Sequence, residues 1–355
     1  MKLEDLGYTE ELEKYRNEEN LNSFAVGRVT SEHKERYTVK TDKGEFESEI
    51  IGNLRYTAKS RYDFPAVGDW VAISEYDENK GLIHTVFPRK TIVSRKAVNK
   101  FGEKQIIATN IDYAFLVQAA DNDFNINRLE RYLSICYTSK VQPIIILTKI
   151  DLISDTKLNN ILGGIEERVK EVPIIAISNE TRSGYEKLHD SILKRKTYCL
   201  LGSSGVGKST LLNNVSGKSH MKTNSISMST NKGRHITSHR ELIILENGGI
   251  LIDNPGMREV GITDTTNGLE LTFDTIVNLS EDCKFSNCTH IHEKGCAILD
   301  AVEKEIIDRD SYENYLRMER ERVHFESSIA ERRKKDKEFG MMIKSVMNIK
   351  KQTKR

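Results

Sequence analysis

The stretch GSSGVGKST, residues 202–210, fits the phosphate-loop pattern G-x-x-x-x-G-K-S and decides how the remainder of the chain is interpreted. An apolar segment, YCLL, precedes it and STLLNNV follows it, so the motif lies between a predicted strand and a predicted helix. In that setting, backbone N–H groups and a helix N-terminus face nucleotide phosphates, Lys208 meets the β- and γ-phosphates, and Ser209 ligates Mg²⁺. The predicted nucleotide-binding residues are Gly202, Ser203, Ser204, Gly205, Val206, Gly207, Lys208, Ser209 and Thr210.

The segments on either side of this loop predict an α/β domain. Apolar strands alternate with amphipathic helices, which is typical of a parallel sheet covered by helices on both faces. A hairpin, ELIILEN and ILID joined through Gly248 and Gly249, follows the loop. The predicted strands are Asp112–Ala119, Pro143–Thr148, Pro173–Ser178 and Tyr198–Leu201, and the predicted helices are Asn127–Tyr137, Lys157–Glu171 and Tyr185–Arg195.

The tetrapeptide TKID, which comprises Thr148, Lys149, Ile150 and Asp151, ends one of these apolar strands. Ligands of open α/β sheets bind at this edge. An aspartate there can accept hydrogen bonds from N1 and N2 of guanine, whereas adenine offers no such pair of donors. The motif therefore favours a guanine nucleotide. The alternative is that Asp151 caps the helix that follows.

A second carboxylate motif, DNPG, ends the strand ILID and places Asp253 and Gly256 after it. A P-loop NTPase needs a carboxylate for the magnesium shell and a glycine N–H at the γ-phosphate. These motifs resemble the signature set of the translation-factor class of GTPases, in which the phosphate loop comes first and the base-reading motif last. Here TKID precedes the phosphate loop, so the sequence predicts a circularly permuted GTPase domain.

Five short β-rich segments near the start of the chain, several of them separated by turn sequences, predict a small closed barrel of the oligonucleotide-binding (OB) type. They are Phe24–Thr30, Arg36–Thr41, Glu45–Ile51, Asp69–Glu75 and Gly81–Val86.

Three of the five cysteines are clustered near the other end, and with His290 they form C-x4-C-x-H-x5-C. Three thiolates and one imidazole suit a structural, tetrahedral zinc ion with no position left for substrate. The predicted ligands are Cys283, Cys288, His290 and Cys296, with His292 as the alternative imidazole. Cys136 and Cys199 lie in apolar surroundings and are predicted to be buried packing residues.

Composition excludes several classes of protein. The 355-residue chain carries a formal net charge of +1 and no apolar run near the ~18 residues that span a bilayer, so we expect a cytoplasmic protein.

Between Arg332 and Arg355 there are ten Lys or Arg residues against Asp336 and Glu338 alone. This segment is either a solvated terminal helix or an arm that neutralises nucleic-acid phosphates. Further basic residues follow the predicted barrel at Arg89, Lys90, Arg95, Lys96, Lys100 and Lys104.

Barrel, permuted GTPase domain and cysteine module, in that order, resemble the ribosome small-subunit-dependent GTPase A family. The similar segments are PAVGDW at 65–70, FNINRLERYL at 124–133, GSSGVGKSTLLN at 202–213, KGRHITSH at 232–239 and CTHIHEKGC at 288–296. The resemblance implies an N-terminal helical extension over 1–22, an OB-type RNA-binding barrel over 23–98, a permuted GTPase domain over 99–275 and a helical, basic zinc domain over 276–355. It agrees with the use of GTP/GDP, Mg²⁺ and one zinc ion. Nothing in the sequence resembles a coiled coil, and we expect a monomer. Its expected partners are the 30S subunit and its 16S rRNA, with hydrolysis stimulated by the subunit late in its maturation.

The same resemblance assigns Thr237 to a second magnesium contact, and Ser178 to the loop that supports the base. Small GTPases position the attacking water with a glutamine just after D-x-x-G, but Met257 stands there. His235 is therefore a candidate catalytic residue beside Lys208 and Thr237, the alternative being a bystander in a loop. Thr148 replaces the family's usual asparagine, and Asn179 replaces the alanine of its Ser-Ala pair.

Two other functions are compatible with the sequence. One is an ATP-dependent P-loop enzyme. The other is an RNA-binding nucleotide switch in which hydrolysis is incidental.

Overall fold

The computed structural model describes residues 1–33, 35–96, 104–217, 240–253 and 266–323, together with Glu331 and Lys334. Its strands form one long sheet and one separate hairpin. In chain order they are β1 Ala25–His33, β2 Arg36–Thr41, β3 Glu45–Ile50, β4 Trp70–Asp77, β5 Lys80–Val86, β6 Ile92–Lys96, β7 Lys104–Thr109, β8 Tyr113–Ala119, β9 Gln142–Thr148, β10 Ile174–Ala176, β11 Thr197–Leu201, β12 Arg240–Ile244 and β13 Ile250–Asp253.

Helices cover the sheet and form most of the C-terminal part that the structure describes. No helix in the described ranges is both long enough and apolar enough to cross a bilayer. The α-helices are α1 Glu10–Glu18, α2 Gly52–Thr57, α3 Ile126–Thr138, α4 Asp155–Arg168, α5 Tyr185–Ser191, α6 Lys208–Ser216, α7 Thr266–Thr272, α8 Asp274–Ser280 and α9 Ala297–Glu303, followed by a C-terminal helix over residues 309–323.

The first five strands close into a barrel in the order β1-β2-β3-β5-β4, and β4 pairs back onto β1. Alternating apolar residues of these strands point inward, among them Val29, Val39, Val71 and Ile83. A side chain at position 27 would collide with Val39, since a Cβ there would lie 2.4 Å from Val39 Cγ1. The predicted OB-type barrel is confirmed, and strand ends differ by only a few residues.

The central sheet has the order β10-β9-β8-β11-β13-β12, and all of its strands except β12 are parallel. In β8, Ala114 and Leu116 pack into one core with α3, while Phe115 and Val117 pack into a second core with α5 and α6. The strand is therefore buried on both faces, as its apolar run predicts. The α/β sheet with helices on both faces is confirmed.

Barrel and central sheet are joined by hydrogen-bonded backbone. β1 pairs antiparallel with β12, with Glu32 opposite Arg240, so the strands form one continuous sheet. Buried Arg28 links three further segments by donating to the carbonyls of Leu6, Gly68 and Asn110. Burial lowers the pKa of Arg28 to about 10, so it stays charged at neutral pH. The β6–β7 hairpin, which sequence analysis missed, follows the barrel.

The C-terminal helices have their own apolar core, which includes Phe273, Ile298 and Met318. They dock on α3 through polar contacts. The buried carboxylate of Glu130 accepts from Arg168 at 2.8 Å and from Asn314 at 2.6 Å. A carboxylate this buried needs such partners.

Helix α7 crosses α3 at a glycine. A Cβ at Gly268 would lie 2.0 Å from the backbone oxygen of Ser134, whereas a Cβ at Gly163 in α4 would meet nothing within 4 Å. We expect Gly268→Ala to lower the melting temperature, because the helices must separate at a cost of about 1–3 kcal/mol. Gly163→Ala should raise it slightly, because alanine favours helix by about 1 kcal/mol. Thermal unfolding followed by circular dichroism measures both, and equal shifts of the two variants would contradict this packing.

Candidate functional site

The phosphate loop runs from the end of β11 into the first turn of α6, where Lys208, Ser209 and Thr210 lie. Gly202 packs so closely against the neighbouring strand β8 that a Cβ there would lie 2.3 Å from the carbonyl oxygen of Val117. Gly205 and Gly207 adopt φ values of 82° and 94°, which L side chains rarely adopt. These glycines therefore permit the tight loop that the motif predicts.

The ammonium group of Lys208 lies within this loop. Its Nζ donates to the carbonyl of Gly202 at 2.7 Å and also to the carbonyl of Ser203. The loop backbone thus holds a positive charge beside its own N–H groups. This is the arrangement that binds phosphate oxygens.

TKID meets the phosphate loop through a buried hydrogen bond. The Thr148 hydroxyl donates to the carbonyl of Val206 at 2.6 Å, although 58 positions separate the two residues. Asp151 lies in the 3₁₀ turn Ile150–Leu152 just beyond the strand; it is exposed and makes no hydrogen bond to another described residue. Helix α4 is capped by the side chain of Ser154, so the helix-cap alternative for Asp151 is wrong.

Lys149 of the same motif has a left-handed backbone and forms an ion pair with Asp121, with 2.8 Å between Nζ and Oδ2. Burial opposes ionisation of Asp121, but the hydrogen bonds from Lys149 and from the backbone N–H of Asp123, together with the charges of Lys149 and Lys157, outweigh it and hold the pKa of this carboxyl below its usual value. The ion pair fixes the turn that carries Asp151 against the end of β8.

A third loop, after β10, completes this edge of the sheet. Ser178 is fully buried, and its hydroxyl accepts from the backbone N–H groups of Glu180 and Thr181. The side chain of Asn179 donates to the carbonyl of Gly207 at 3.2 Å and accepts from the Tyr185 hydroxyl at 2.7 Å. Sequence analysis noted Asn179 only as a departure from the family pair and did not predict this contact.

Asp253 ends β13, the strand beside β11, and the parallel register of Cys199 with Ile252 places it at the same carboxyl edge as the phosphate loop. Its carboxylate and the Ser209 hydroxyl are oxygen donors of the kind that Mg²⁺ prefers. Three other predicted site residues, His235, Thr237 and Gly256, lie outside the described residues.

The cysteine cluster forms a compact group in the C-terminal part. The ligand atoms of Cys283, Cys288, His290 and Cys296 all lie within 4.8 Å of one another. Cys283 Sγ lies 3.9 Å from Cys296 Sγ and 3.6 Å from His290 Nδ1. Sulfur ligands of a tetrahedral zinc lie roughly 3.8 Å apart, so the group is compatible with zinc.

The two histidines of this loop have different surroundings. Burial lowers the pKa of His290, which favours the neutral imidazole that metals bind. Its carbonyl accepts from the Tyr312 hydroxyl at 2.6 Å, which ties the loop to the C-terminal helix. His292 is exposed and does not belong to the group.

The phosphate loop lies at the carboxyl edge of a parallel sheet, where TKID joins it from an earlier strand and Asp253 from a later one. This arrangement defines a circularly permuted P-loop nucleotide-binding domain. The family model described as RsgA GTPase matches residues 86–263. A Bacteroides thetaiotaomicron protein named small ribosomal subunit biogenesis GTPase RsgA 1 is 37% identical over 341 residues, which is 96% of this chain and 95% of that protein. The chain belongs to the RsgA GTPase family and is a GTPase.

Solved structures agree with this assignment. YloQ, described as a circularly permuted GTPase, is 26% identical with a TM-score of 0.59, and the match covers 87% of this chain and 96% of YloQ. YjeQ from Thermotoga maritima is similar in fold, with a TM-score of 0.62 at 24% identity over 86% of this chain and 98% of YjeQ.

Proposed function

We propose that the protein hydrolyses GTP on the 30S ribosomal subunit late in its maturation, and that the subunit stimulates hydrolysis. The observation that carries the proposal is the Thr148–Val206 hydrogen bond, since it joins the base-reading motif to the phosphate loop in one site. The names of the similar proteins, small ribosomal subunit biogenesis GTPases, support the choice of partner.

Each motif has a defined role in this proposal. Asp151 accepts from N1 and N2 of guanine, and its exposed carboxylate has no competing partner among the described residues. Lys208 and the loop N–H groups bind the phosphates. Ser209, Thr237 and Asp253 would hold Mg²⁺, which neutralises charge on the β- and γ-phosphates.

Hydrolysis needs a group that orients the attacking water, and Met257 cannot supply it. We assign this role to His235, which precedes Thr237 closely, and the γ-phosphate contact to the N–H of Gly256. The subunit would supply His235 to the phosphate, so that the free protein hydrolyses GTP slowly.

Binding to 16S rRNA is assigned to the barrel, with the basic segment 332–355 as a second contact. Not every basic residue after the barrel is available for phosphate. Arg89 pairs with fully buried Asp69 at 2.7 Å and donates to the carbonyl of Phe64, so it has a structural role. Lys90, which pairs with Asp112 at 3.3 Å, stays 68% exposed and can face RNA. The proposed active form is a monomer.

The cluster of Cys283, Cys288, His290 and Cys296 is assigned one structural zinc ion. The chemistry of the donors supports this assignment, since three sulfurs and one imidazole nitrogen suit zinc. The ion would hold the loop to α9 and the C-terminal helix.

Asp151 should decide the choice of nucleotide. We expect Asp151→Ala to weaken GTP binding at least about 100-fold, because two charge-assisted hydrogen bonds are lost, while ATP binding stays as weak as before. Asp155→Ala, which removes an exposed aspartate on α4, is the matched control. Titration with fluorescent GTP and ATP analogues measures both constants. A wild-type protein that binds both nucleotides equally would contradict guanine recognition.

Zinc content separates the two histidines. We expect purified wild-type protein and His292→Ala to hold about one zinc per chain, and His290→Ala to lose most of it, because a three-ligand site binds the ion less tightly. Atomic emission spectrometry measures the metal. Loss from His292→Ala alone would assign the ligand to His292 instead.

Purified small subunits should accelerate GTP turnover on the order of 10³-fold, as when an activating group is inserted in other GTPases. His235→Ala should reduce this stimulated rate far more than it weakens GDP binding.

The apparent affinity for subunits should fall steeply with salt, because phosphate contacts release counterions. Phosphate release measured with and without subunits tests the stimulation of turnover, and an unchanged rate would rule it out. The same measurement over a series of salt concentrations tests the affinity.

A further inference from the structure

Arg128, in the first turn of α3, contacts the phosphate loop from outside the nucleotide motifs. Its Nη1 lies 2.6 Å from the Ser203 hydroxyl oxygen. Asp123 orients the guanidinium, with 3.1 Å from Nη1 to Oδ2 and 3.2 Å from Nη2 to Oδ1. Nη2 also donates to the Asp123 carbonyl at 3.1 Å. Such a two-pronged pair fixes both the position and the plane of the guanidinium.

Ser203, whose hydroxyl accepts from Arg128, also binds Lys208. The Ser203 carbonyl accepts a hydrogen bond from the Lys208 ammonium, as does the neighbouring carbonyl of Gly202. Arg128, Ser203 and Lys208 therefore form one chain of direct contacts. A displacement of Ser203 would move the ammonium group that faces the transferred phosphate.

The helix that carries Arg128 is firmly anchored. Asn125 caps its N-terminus by accepting from the backbone N–H of Arg128 at 3.0 Å. One turn further on, Arg131 forms a two-pronged ion pair with Glu321 of the C-terminal helix, at 2.7 and 2.8 Å. The guanidinium is thus a fixed reference point for the loop, in contrast to an arginine on an unsupported surface turn.

We propose that Arg128 is a positioning residue for GTP hydrolysis, which sets the Lys208 ammonium through Ser203. The inference rests on the proposed GTPase function. Phosphoryl transfer depends on the placement of charge, and a misplacement of about 1 Å can cost on the order of 100-fold in rate. Arg128 contributes to turnover in this way without contacting the nucleotide.

A double-mutant cycle tests the proposal, with Arg128→Ala, Ser203→Ala, the double variant, and Lys187→Ala on the exposed face of α5 as the control. We expect each single change to lower kcat for GTP about 10-fold and KM less than about 3-fold, since the loop still binds phosphates but misplaces Lys208. The double variant should be no slower than Ser203→Ala alone, because that change already removes the Arg128 contact together with the 3.4 Å hydrogen bond from the Ser203 hydroxyl to Asp123.

Three results would overturn the proposal: Arg128→Ala as active as Lys187→Ala, Arg128→Ala slow while Ser203→Ala is normal, or a double variant whose loss is the product of the single losses. Ser203→Ala keeps the test available if Arg128→Ala does not fold. A wild-type protein without GTPase activity would instead refute the proposed function itself.

Discussion

Parallel pairing of β8 with β9 on one side and with β11 on the other is the constraint on which the nucleotide site depends. In this register Leu116 of β8 lies opposite both Ile145 of β9 and Leu201 of β11. Consequently the ends of β9 and β11 reach the same edge of the sheet, and the Thr148 hydroxyl can bond to Val206. Chain order does not enter this geometry, which is why the motifs tolerate permutation.

Sequence patterns were sufficient for the features that depend on local chemistry. The phosphate loop needs glycines at fixed places, and Gly202 has no room for a side chain against Val117. The apolar run of β8 likewise indicates burial on both faces. The β6–β7 hairpin was missed because it carries charged residues without the alternation that marks a half-buried strand.

Contacts between distant side chains were beyond sequence analysis. Neither the bond from Asn179 to the phosphate loop nor the bond from Arg128 to Ser203 follows from residue spacing. Arg89 is one of the basic residues that follow the barrel strands in sequence, yet its guanidinium pairs with buried Asp69. Charge can be read from a sequence, but whether a charge already has a partner is decided by the fold.

In the permuted order the C-terminal helices come later in the chain than the strand that ends in Asp253, and the first of them, α7, packs on α3. There Gly268 lets the two helices approach closely, and the Ser134 hydroxyl donates to Thr272 at 2.9 Å. Helix α3 therefore contacts the phosphate loop at its N-terminal turn and the C-terminal helices along the rest of its length. The C-terminal helices are thus connected to Ser203 through hydrogen bonds that α3 makes at Ser134, Arg131 and Arg128.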